Sequence, residues 1–521
     1  MSFRGFSVLA LFFGFFLASA GQAQSTNTPP SRSSSSQTPA FTIRAESRVV
    51  LTDVTVTDHH GNPVRGLPAS AFHIFDNNEP QKIDSFEEHS EASAAPALST
   101  TAAPSGAYSN DYLLHLPEAV NIFVIDITNI NVPDQMYLNY QLTKFLDTLP
   151  ANQPIALYLR GASGSVLLQN FTSDHELLKA ALRKAIPRIP PVGREYISDL
   201  ATLQQLATYL TQVPGRKNIL WFTGGSTLFL RADATVVQDY AAWRGLYDLL
   251  EQERIAIYPI DARGLTVAFH RAMFYQQGLM NDVAEATGGK AYYNNNGLKE
   301  ISSQILQTDG SFYTITYVPG NFHFDNKWHK VRIVVDEKAY QLSYRRGYFA
   351  DASHPNEKNA EGKRTALFAG GEKVDMPDVR TLPLVFQAKV VPASAPGPHP
   401  PEGVFTTPAQ PVKKGEIPYL VRYSVPAGSF TQRSVDGKPQ VVFAIAAVVF
   451  NADGRVVGQQ GNRITSTLNP GVVQRNPNAP LNVDQNIVLH KGDDFLSLAM
   501  WDMTTGRVGT LQIHLDVPKN P

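Results

Sequence analysis

Some histidines and acidic residues of this chain stand close enough in sequence to suggest metal or hydrolytic chemistry. His323, Asp325 and His329 carry side chains that a metal site or a catalytic triad needs. The intervening Asp-Asn-Lys is typical of a hairpin turn, which places the two histidines on opposing strand ends. We therefore interpret these residues as solvated turn residues, and we interpret His59 and His60 in the same way because they precede Gly-Asn-Pro.

The motifs of common enzyme classes are incomplete in this sequence. His175-Glu176 has no second histidine at the spacing of the zinc-protease helix. The segment GASGS at 161–165 does not have the G-x-S-x-G spacing of a nucleophile elbow, and it precedes a predicted strand instead of opening a helix. No P-loop or dinucleotide fingerprint follows a predicted strand. We therefore predict that the protein is not an enzyme and keep an uncharacterised hydrolase as an alternative.

Composition and charge exclude further classes of function. The chain has 521 residues, of which 43% are hydrophobic and 10% aromatic, so buried cores are expected in roughly three domains. The formal net charge is −1 and lysine and arginine form no cluster, so the counterion release that drives nucleic-acid binding is not expected. The sequence contains no cysteine, which excludes disulfides and thiol chemistry.

The N-terminal residues have the pattern of a secretory signal peptide. Arg4 precedes an apolar run at residues 6–17, which is shorter than the about 20 residues needed to span a bilayer. Small residues follow, and cleavage after Ala20 or Ala23 would remove the signal peptide at 1–23. We expect the mature protein to be secreted or periplasmic and to have no transmembrane segment.

Composition divides the flanks of the chain into β-rich segments and linkers. Residues 24–40 are rich in Ser, Thr and Pro and are predicted to be a disordered linker. Alternating apolar residues and turn signals predict a small Ig-like β-domain at 41–90, followed by an Ala- and Ser-rich linker at 91–110. A polar linker at 350–379 leads to a C-terminal β-sandwich-like domain at 380–521.

The longest apolar run of the C-terminal domain is residues 441–450. Such a run would invite aggregation if it lay at the edge of a sheet. We therefore predict that it forms a central strand.

Strands and helices are predicted to alternate between residues 111 and 349. Residues 120–125 are apolar except for Asn121, as expected of a strand that is buried on both faces, and helical spacing follows at 134–149. This alternation predicts a mainly parallel sheet with helices on both faces, that is, a doubly wound α/β domain. The hairpin-like strands after Ser311 are assigned to the same domain, so its predicted boundaries are 111–349.

Three stretches, in this order, resemble the VWFA-related family first described from acidobacteria. They read VTDHHGNPVRGLPASAFHIFDNNEPQKIDSF, then VPGRKNILWFTGG, then AIYPIDARGL with the later segment FHFDNKWHKVRIVV. The resemblance spans roughly residues 41–350 and implies a von Willebrand factor A-like fold for the central domain. Proteins of this superfamily usually bind other proteins, often through a metal-ion-dependent adhesion site where the strands end.

The resemblance implies a metal site that this sequence matches in part. The family motif D-x-S-x-S falls on residues 126–130, where an aspartate and a threonine are present but Ile130 cannot be a ligand. A hard cation such as Mg²⁺ or Ca²⁺ takes oxygen ligands of this kind. The ligands implied are Asp126, Thr128, the neighbouring Asn131, and Asp261 at the end of a later strand.

Two other positions of the implied site depart from the family. The second loop has no threonine, which leaves Glu195 or Ser198 as a substitute, and Gly224 stands where the family usually has an aspartate. Asp261 would lie two strand spacings, roughly 10 Å, from Asp126. The alternative interpretation has no metal: Asp126 caps the following turn, and Asp261 accepts hydrogen bonds from loop amides.

We predict an exported, non-catalytic protein that binds other proteins through the loops at the carboxyl ends of the central strands. Residues assigned to these partner-binding loops are Asn129, Glu195, Thr223 and Ser226. A structural scaffold without metal and the uncharacterised hydrolase are the alternatives.

Overall fold

The structure of the protein is a computed structural model that describes most of the chain after residue 48. The described residues are 49–90, 107–150, 153–161, 164–187, 199–225, 240–265, 271–320, 325, 327–350, 365–367, 373–375, 383–393, 405–409, 411–435, 438–450, 456–467, 476, 479–490, 492–505 and 507–517. They belong to the compact unit Ser47–Pro521. The predicted signal peptide and the linker at 24–40 lie outside the described residues.

The first strands follow the alternating pattern of the sequence. They are β1 (Val50–Thr57), β2 (Phe72–Asp76), β3 (Glu79–Gln81) and β4 (Ser85–His89). In β1 the side chains of Val50, Val54 and Val56 are buried. The turn between β2 and β3 is made by Asn77 and Asn78, which both have positive φ, a conformation that asparagine tolerates better than most residues.

A five-stranded sheet with helices on both faces forms the middle of the chain. After β5 (Ala107–Ser109), its strands are β6 (Ala119–Asp126), β7 (Ile155–Gly161), β8 (Gly164–Thr172), β9 (Arg216–Thr223) and β10 (Ile255–Asp261). The strand order is β10-β9-β6-β7-β8, with all neighbours parallel except β7 and β8. The chain reverses its direction of progress across the sheet at β6, as doubly wound sheets do.

Helices cover the two faces of this sheet with separate hydrophobic cores. The described helices are α1 (Val132–Leu146), α2 (His175–Ala185), α3 (Asp199–Leu210), α4 (Tyr240–Gln252), α5 (Arg271–Thr287) and α6 (Leu298–Asp309). Helices α1, α2 and α6 pack on one face and α3, α4 and α5 on the other. Helix α6 was not predicted from the sequence, whereas the α/β layering was.

The strands that follow α6 complete the first β-domain and do not belong to the central one. They are β11 (Phe312–Tyr317), β12 (Trp328–Val335), β13 (Gln341–Ser343) and β14 (Gly347–Phe349). They join β1 to β4 in two sheets, β13-β1-β11-β4 and β14-β12-β2-β3, which share one core. The predicted boundaries at 41–90 and 111–349 are therefore corrected: the α/β domain is inserted between two halves of one sandwich.

The sandwich docks on the amino-terminal edge of the central sheet through charged residues. Arg254, immediately before β10, binds Asp53 of β1 with two hydrogen bonds, Nε–Oδ2 at 3.0 Å and Nη2–Oδ1 at 2.7 Å. Thr314 donates to the same Asp53 Oδ1 at 2.8 Å. The guanidinium of Arg216, at the start of β9, lies over the ring of Phe312 at 5.3 Å. These contacts leave the carboxyl edge of the sheet on the side away from the sandwich.

The ion pair of Asp53 predicts acid-sensitive docking. Burial raises the pKa of Asp53, but the charge and hydrogen bonds of Arg254, with Arg216 and Thr314, outweigh burial and hold it below its ordinary value. A carboxyl group whose pKa is lowered on folding stabilises the folded state above about pH 4, and this stabilisation is lost as pH falls through the lowered pKa.

Denaturant unfolding measured between about pH 5 and pH 3 tests this expectation. We expect the free energy of unfolding of the unaltered chain to fall by about 1 kcal/mol more than that of Asp53→Asn over this interval. Equal pH dependence of the two proteins would contradict the assignment.

The C-terminal part is a second sandwich. Two short strands, β15 (Thr365–Leu367) and β16 (Lys373–Asp375), pair with each other within the predicted linker at 350–379. The others are β17 (Gln387–Pro392), β18 (Phe405–Thr406), β19 (Glu416–Pro426), β20 (Arg433–Val435), β21 (Lys438–Phe450), β22 (Val456–Thr467), β23 (Pro480–His490), β24 (Gly492–Asp502) and β25 (Val508–Val517). One sheet has the order β18-β23-β19-β17-β5; the other has the order β20-β21-β24-β25, with β22 also paired to β21.

Two predictions about this part of the chain have different outcomes. The apolar run at 441–450 lies in β21, which pairs with both β22 and β24 and is therefore central, as predicted. The predicted linker at 91–110 is corrected, because residues 107–109 form β5 and pair with β17. No described helix combines the length and apolarity needed to cross a membrane.

Candidate functional site

The carboxyl edge of the central sheet carries a row of polar residues in register. Asp261 of β10 pairs with Thr223 of β9, and Asp126 of β6 pairs with Arg160 of β7. Because Phe222 pairs with Ile125, Thr223 and Asp126 are also neighbours. Paired residues of parallel strands project to the same side, so the four side chains meet at one edge. We call this edge, defined by Asp126, Arg160, Thr223 and Asp261, the rim.

The carboxylate of Asp126 is buried and fully engaged. Its Oδ1 accepts hydrogen bonds from the backbone N–H of Thr128 at 3.1 Å and from the Thr128 hydroxyl at 2.6 Å. Its Oδ2 accepts from the Asn129 amide at 2.8 Å and from the Thr223 hydroxyl at 3.2 Å. Both oxygens of the carboxylate are therefore in contact with hydrogen-bond donors. Three residues predicted for the site, Thr128, Asn129 and Thr223, thus converge on Asp126.

A guanidinium links Asp126 to a second buried acid. Arg160 Nη1 lies 3.0 Å from Asp126 Oδ1, and Nη2 lies 2.6 Å from Oδ1 of Asp199, the first residue of α3. Nη1 also contacts the hydroxyl of Thr128. The side chains of Arg160, Asp126 and Asp199 are 4%, 1% and 5% exposed, so the three charges compensate one another away from water.

Sequence reasoning missed Arg160 and Asp199. A signal for both was present, since Arg160 directly follows a predicted apolar strand and Asp199 lies in a predicted helix beside apolar residues. An ionic side chain in such a position is rarely buried without a partner of opposite charge.

Burial has the largest effect on the pKa of Asp126. It raises the pKa of this carboxyl group, and the neighbouring Asp199 acts in the same direction. The charge of Arg160 and the hydrogen bonds from Thr128 and Asn129 lower the pKa without cancelling the effect of burial. The net result is a pKa above the ordinary value for aspartate.

Asp261 is paired with its own arginine. Its Oδ1 accepts from the backbone N–H of Arg263 at 3.0 Å and from Nε at 2.9 Å, and its Oδ2 accepts from Nη2 at 2.7 Å. This hydrogen bonding raises the pKa of Arg263. Arg263 Nη1 also donates to Gln276 of α5 at 3.2 Å, which ties the loop after β10 to that helix. Asp261 therefore lies on the same edge as Asp126, but its carboxylate holds this loop.

Asn131, which was also predicted as a ligand, is not brought to Asp126. Asn131 is the N-cap of α1, and its Oδ1 accepts from the backbone N–H of Asp134 at 2.9 Å. An N-cap oxygen satisfies a helix N–H that would otherwise have no partner, so Asn131 serves the helix. Glu195 and Ser226 lie outside the described residues.

Gly224 cannot be replaced by the aspartate that the resemblance leads one to expect. A Cβ at this position would overlap the backbone carbonyl oxygen of Asn129 and lie 2.9 Å from its carbonyl carbon. The loop after β6 thus packs directly on the backbone after β9. This close approach explains physically why the position carries no side chain.

The donors at the rim do not fit a divalent cation. Asp126 has both oxygens engaged, and the guanidinium of Arg160 occupies the space between Asp126 and Asp199. A cation there would have to displace a positively charged side chain that is attached to the sheet. Among the described residues, no three His, Asp or Glu side chains group closely enough to hold a metal ion.

Four large apolar side chains are exposed on the elements that follow β6 and β10 at the rim. Met136 of α1, Leu265 after β10, and Phe274 and Tyr275 of α5 are 59%, 61%, 59% and 57% exposed. We call these four residues the rim patch. Asn296 brings two of their elements together, because its backbone oxygen accepts from Tyr137 of α1 and its Oδ1 accepts from the backbone N–H of Leu265 at 2.7 Å.

A polar cavity lies elsewhere, between the first sandwich and the α/β domain. Its volume is about 370 Å³, and Thr55, Glu285, Lys290, Tyr293 and Arg346 are among the described residues that line it. No histidine or aspartate is among the described lining residues, so Glu285 is the one carboxylate among them that could act as a general base. The hydrolase alternative stays a prediction, separate from the rim.

Comparison with known proteins gives no family assignment. No protein-family model matches the chain, and no curated protein matches it. Solved structures do match: the PilB minor pilin from Streptococcus sanguinis is 15% identical with a TM-score of 0.27, over 37% of this chain and 62% of the pilin. The chain thus covers less than two thirds of the pilin.

Von Willebrand factor A domains are among the other similar structures. The SpRpn10 VWA domain is 14% identical with a TM-score of 0.25, over 37% of this chain and 97% of that domain. A von Willebrand factor type A protein from Catenulispora acidiphila is 10% identical with a TM-score of 0.27, over 55% of this chain and 74% of that protein. TM-scores this low carry no information about function, and the family resemblance stays a prediction.

Proposed function

We propose that this chain is an exported, non-catalytic protein that binds another protein through the rim of its α/β domain. The observation that carries this proposal is the rim patch of Met136, Leu265, Phe274 and Tyr275, whose side chains are each more than half exposed. Large apolar side chains exposed on neighbouring elements, as here on α1, the loop after β10 and α5, are typical of a site where a protein partner binds. Aromatic residues in particular contribute the largest share of binding energy at such interfaces.

The network beneath the patch favours binding by a preformed surface. Asp126 fixes the loop after β6 through Thr128 and Asn129, and Asp261 fixes the loop after β10 through Arg263. Loops that are already ordered lose less conformational entropy when a partner binds. The hydrogen bonds at the rim therefore act as support for the patch, not as direct contacts to the partner.

Two serine substitutions in the rim patch test the proposal. The mature protein is immobilised and used to capture partners from an extract of the cells that export it. For Leu265→Ser combined with Phe274→Ser, we expect recovery of the partner to fall at least about tenfold, because each buried anchor contributes about 1–2 kcal/mol.

A matched control replaces two exposed apolar residues that lie away from the rim. Leu114 and Phe405 are 50% and 42% exposed, and the double variant Leu114→Ser with Phe405→Ser should capture the partner as the unaltered protein does. Equal capture by the rim variant and the control variant would reject the rim as the binding surface. A scaffold that assembles through its β-domains predicts that outcome, together with an oligomer whose size the rim variant leaves unchanged.

A further inference from the structure

We infer that the guanidinium of Arg160 is the resident cation of the rim, standing between Asp126 and Asp199 where a divalent metal ion would otherwise bind. This inference does not depend on the partner proposed above, because it concerns what holds the rim together. It assigns to Arg160 a role that positions the loop after β6 and the first residue of α3, and it predicts a rim that is indifferent to metal ions.

The geometry around Arg160 is that of a cation site built from two elements. Asp126 ends β6 and Asp199 begins α3, and their carboxylates lie 3.0 Å and 2.6 Å from the two terminal nitrogens of one guanidinium. The hydroxyl of Thr128 completes the oxygen set. Arg160 donates a hydrogen bond to Asp126 and forms an ion pair with Asp199, because the charge of a guanidinium is delocalised over both terminal nitrogens.

Burial explains why a cation is required at this place. Asp126 and Asp199 are 1% and 5% exposed, and buried carboxylates are strongly destabilising unless a positive charge compensates them. A metal ion would supply this positive charge reversibly, because the occupancy of its site depends on the metal concentration relative to the dissociation constant. Arg160 supplies the charge permanently, because it is a residue of β7 and because arginine stays protonated in proteins.

The arrangement also restricts how a partner binds. A bound divalent cation that keeps a water ligand can exchange this water for a carboxylate of a partner. Arg160 is 4% exposed and its terminal nitrogens contact Asp126 and Asp199, so it presents no comparable position. A partner carboxylate is therefore not expected to be the anchor at this rim.

Removing the guanidinium should convert the same residues into a metal site. Without Arg160 the two carboxylates and the Thr128 hydroxyl form an uncompensated oxygen set of the kind that Ca²⁺ and Mn²⁺ take. The unaltered full-length mature protein should show the same thermal unfolding midpoint in EDTA as in millimolar CaCl₂ or MnCl₂. Isothermal titration with MnCl₂ should detect no binding that depends on Asp126.

Arg160→Ala provides the decisive comparison. In EDTA its unfolding midpoint should fall by roughly 8 °C, as expected when a buried pair loses one partner. Millimolar Ca²⁺ or Mn²⁺ should recover roughly half of this loss, and adding Asp126→Asn to the variant should abolish the recovery. Arg422→Ala is the matched control, because Arg422 pairs with one buried acid, Asp484, through two hydrogen bonds of 2.9 Å, and the midpoint of this variant should not respond to the cations.

Several results would overturn the inference. One is a metal-dependent midpoint of the unaltered protein that Asp126→Asn removes, because a metal would then be the native cation. Another is a folded Arg160→Ala, judged by circular dichroism, that binds neither cation. If Arg160→Ala does not fold, Arg160→Gln replaces it, since glutamine retains hydrogen-bond donors without the charge, and the same gain of cation binding is required of it.

Discussion

Replacing Gly224 by aspartate is expected to destabilise the chain by more than about 4 kcal/mol and to create no metal site. The substitution would restore the carboxylate that the resemblance implies. A Cβ at Gly224, however, would overlap the carbonyl oxygen of Asn129, and the obstructing atoms belong to the backbone, which cannot rotate away as a side chain would. The loop after β6 would have to move, and Asp126 would then lose the hydrogen bond from Asn129.

Denaturant unfolding followed by tryptophan fluorescence checks the effect of Gly224→Asp. Gly245→Ala is the control, because Gly245 lies in α4 and a methyl group added there would meet no atom within 4 Å. This control should gain about 0.5–1 kcal/mol, as alanine favours a helix interior over glycine. A Gly224→Asp protein as stable as the unaltered chain would show that the close approach of the two loops is absent in solution.

The second large effect is expected at Asp76, which holds the two halves of the first sandwich together. Asp76 of β2 is 5% exposed. Its Oδ2 accepts from the hydroxyl of Tyr348 at 2.6 Å and from that of Tyr317 at 3.1 Å, and its Oδ1 lies 3.1 Å from Nδ1 of His329. The three partners come from β14, β11 and β12, which follow the inserted domain.

Asp76→Ala should therefore lower the free energy of unfolding by about 4 kcal/mol, because it removes a common acceptor from several buried donors. Tyr348→Phe, which removes one hydroxyl and keeps the ring, should cost only about 1 kcal/mol. Chemical unfolding of both variants measures the difference. A small loss for Asp76→Ala, similar to that for Tyr348→Phe, would mean that apolar packing alone joins the two halves.

The order of elements in the α/β domain was predictable because local patterns determine it. Predominantly apolar runs at 120–125 and 255–260 identified strands that are buried on both faces, and helical periodicity lay between them. The assignment of β11 to β14 was not predictable in the same way. A strand that pairs with a neighbour in sequence and one that pairs with β1 across more than 200 residues have the same alternating pattern, because periodicity records only which face is buried.

The convergence of polar side chains at the carboxyl edge was predictable, and their chemistry was less so. The motif beginning at Asp126 pointed to that edge of the sheet, and Thr128, Asn129 and Thr223 do converge there. The partner of Asp126 was not foreseen, because a search for metal ligands passes over Arg160. Charge compensation depends on which residues are neighbours in space, and the register between β6 and β7 determines that.

The insertion of the α/β domain has a mechanical consequence. The chain enters β6 from β5, which belongs to the C-terminal sandwich, and leaves α6 into β11, which belongs to the first sandwich. Tension applied to the rim would thus be divided between two covalent connections that leave from the opposite edge of the sheet. The force would pass along the parallel strands into two different sandwiches. If the rim binds a partner as proposed, neither sandwich would carry all of the force applied through that partner.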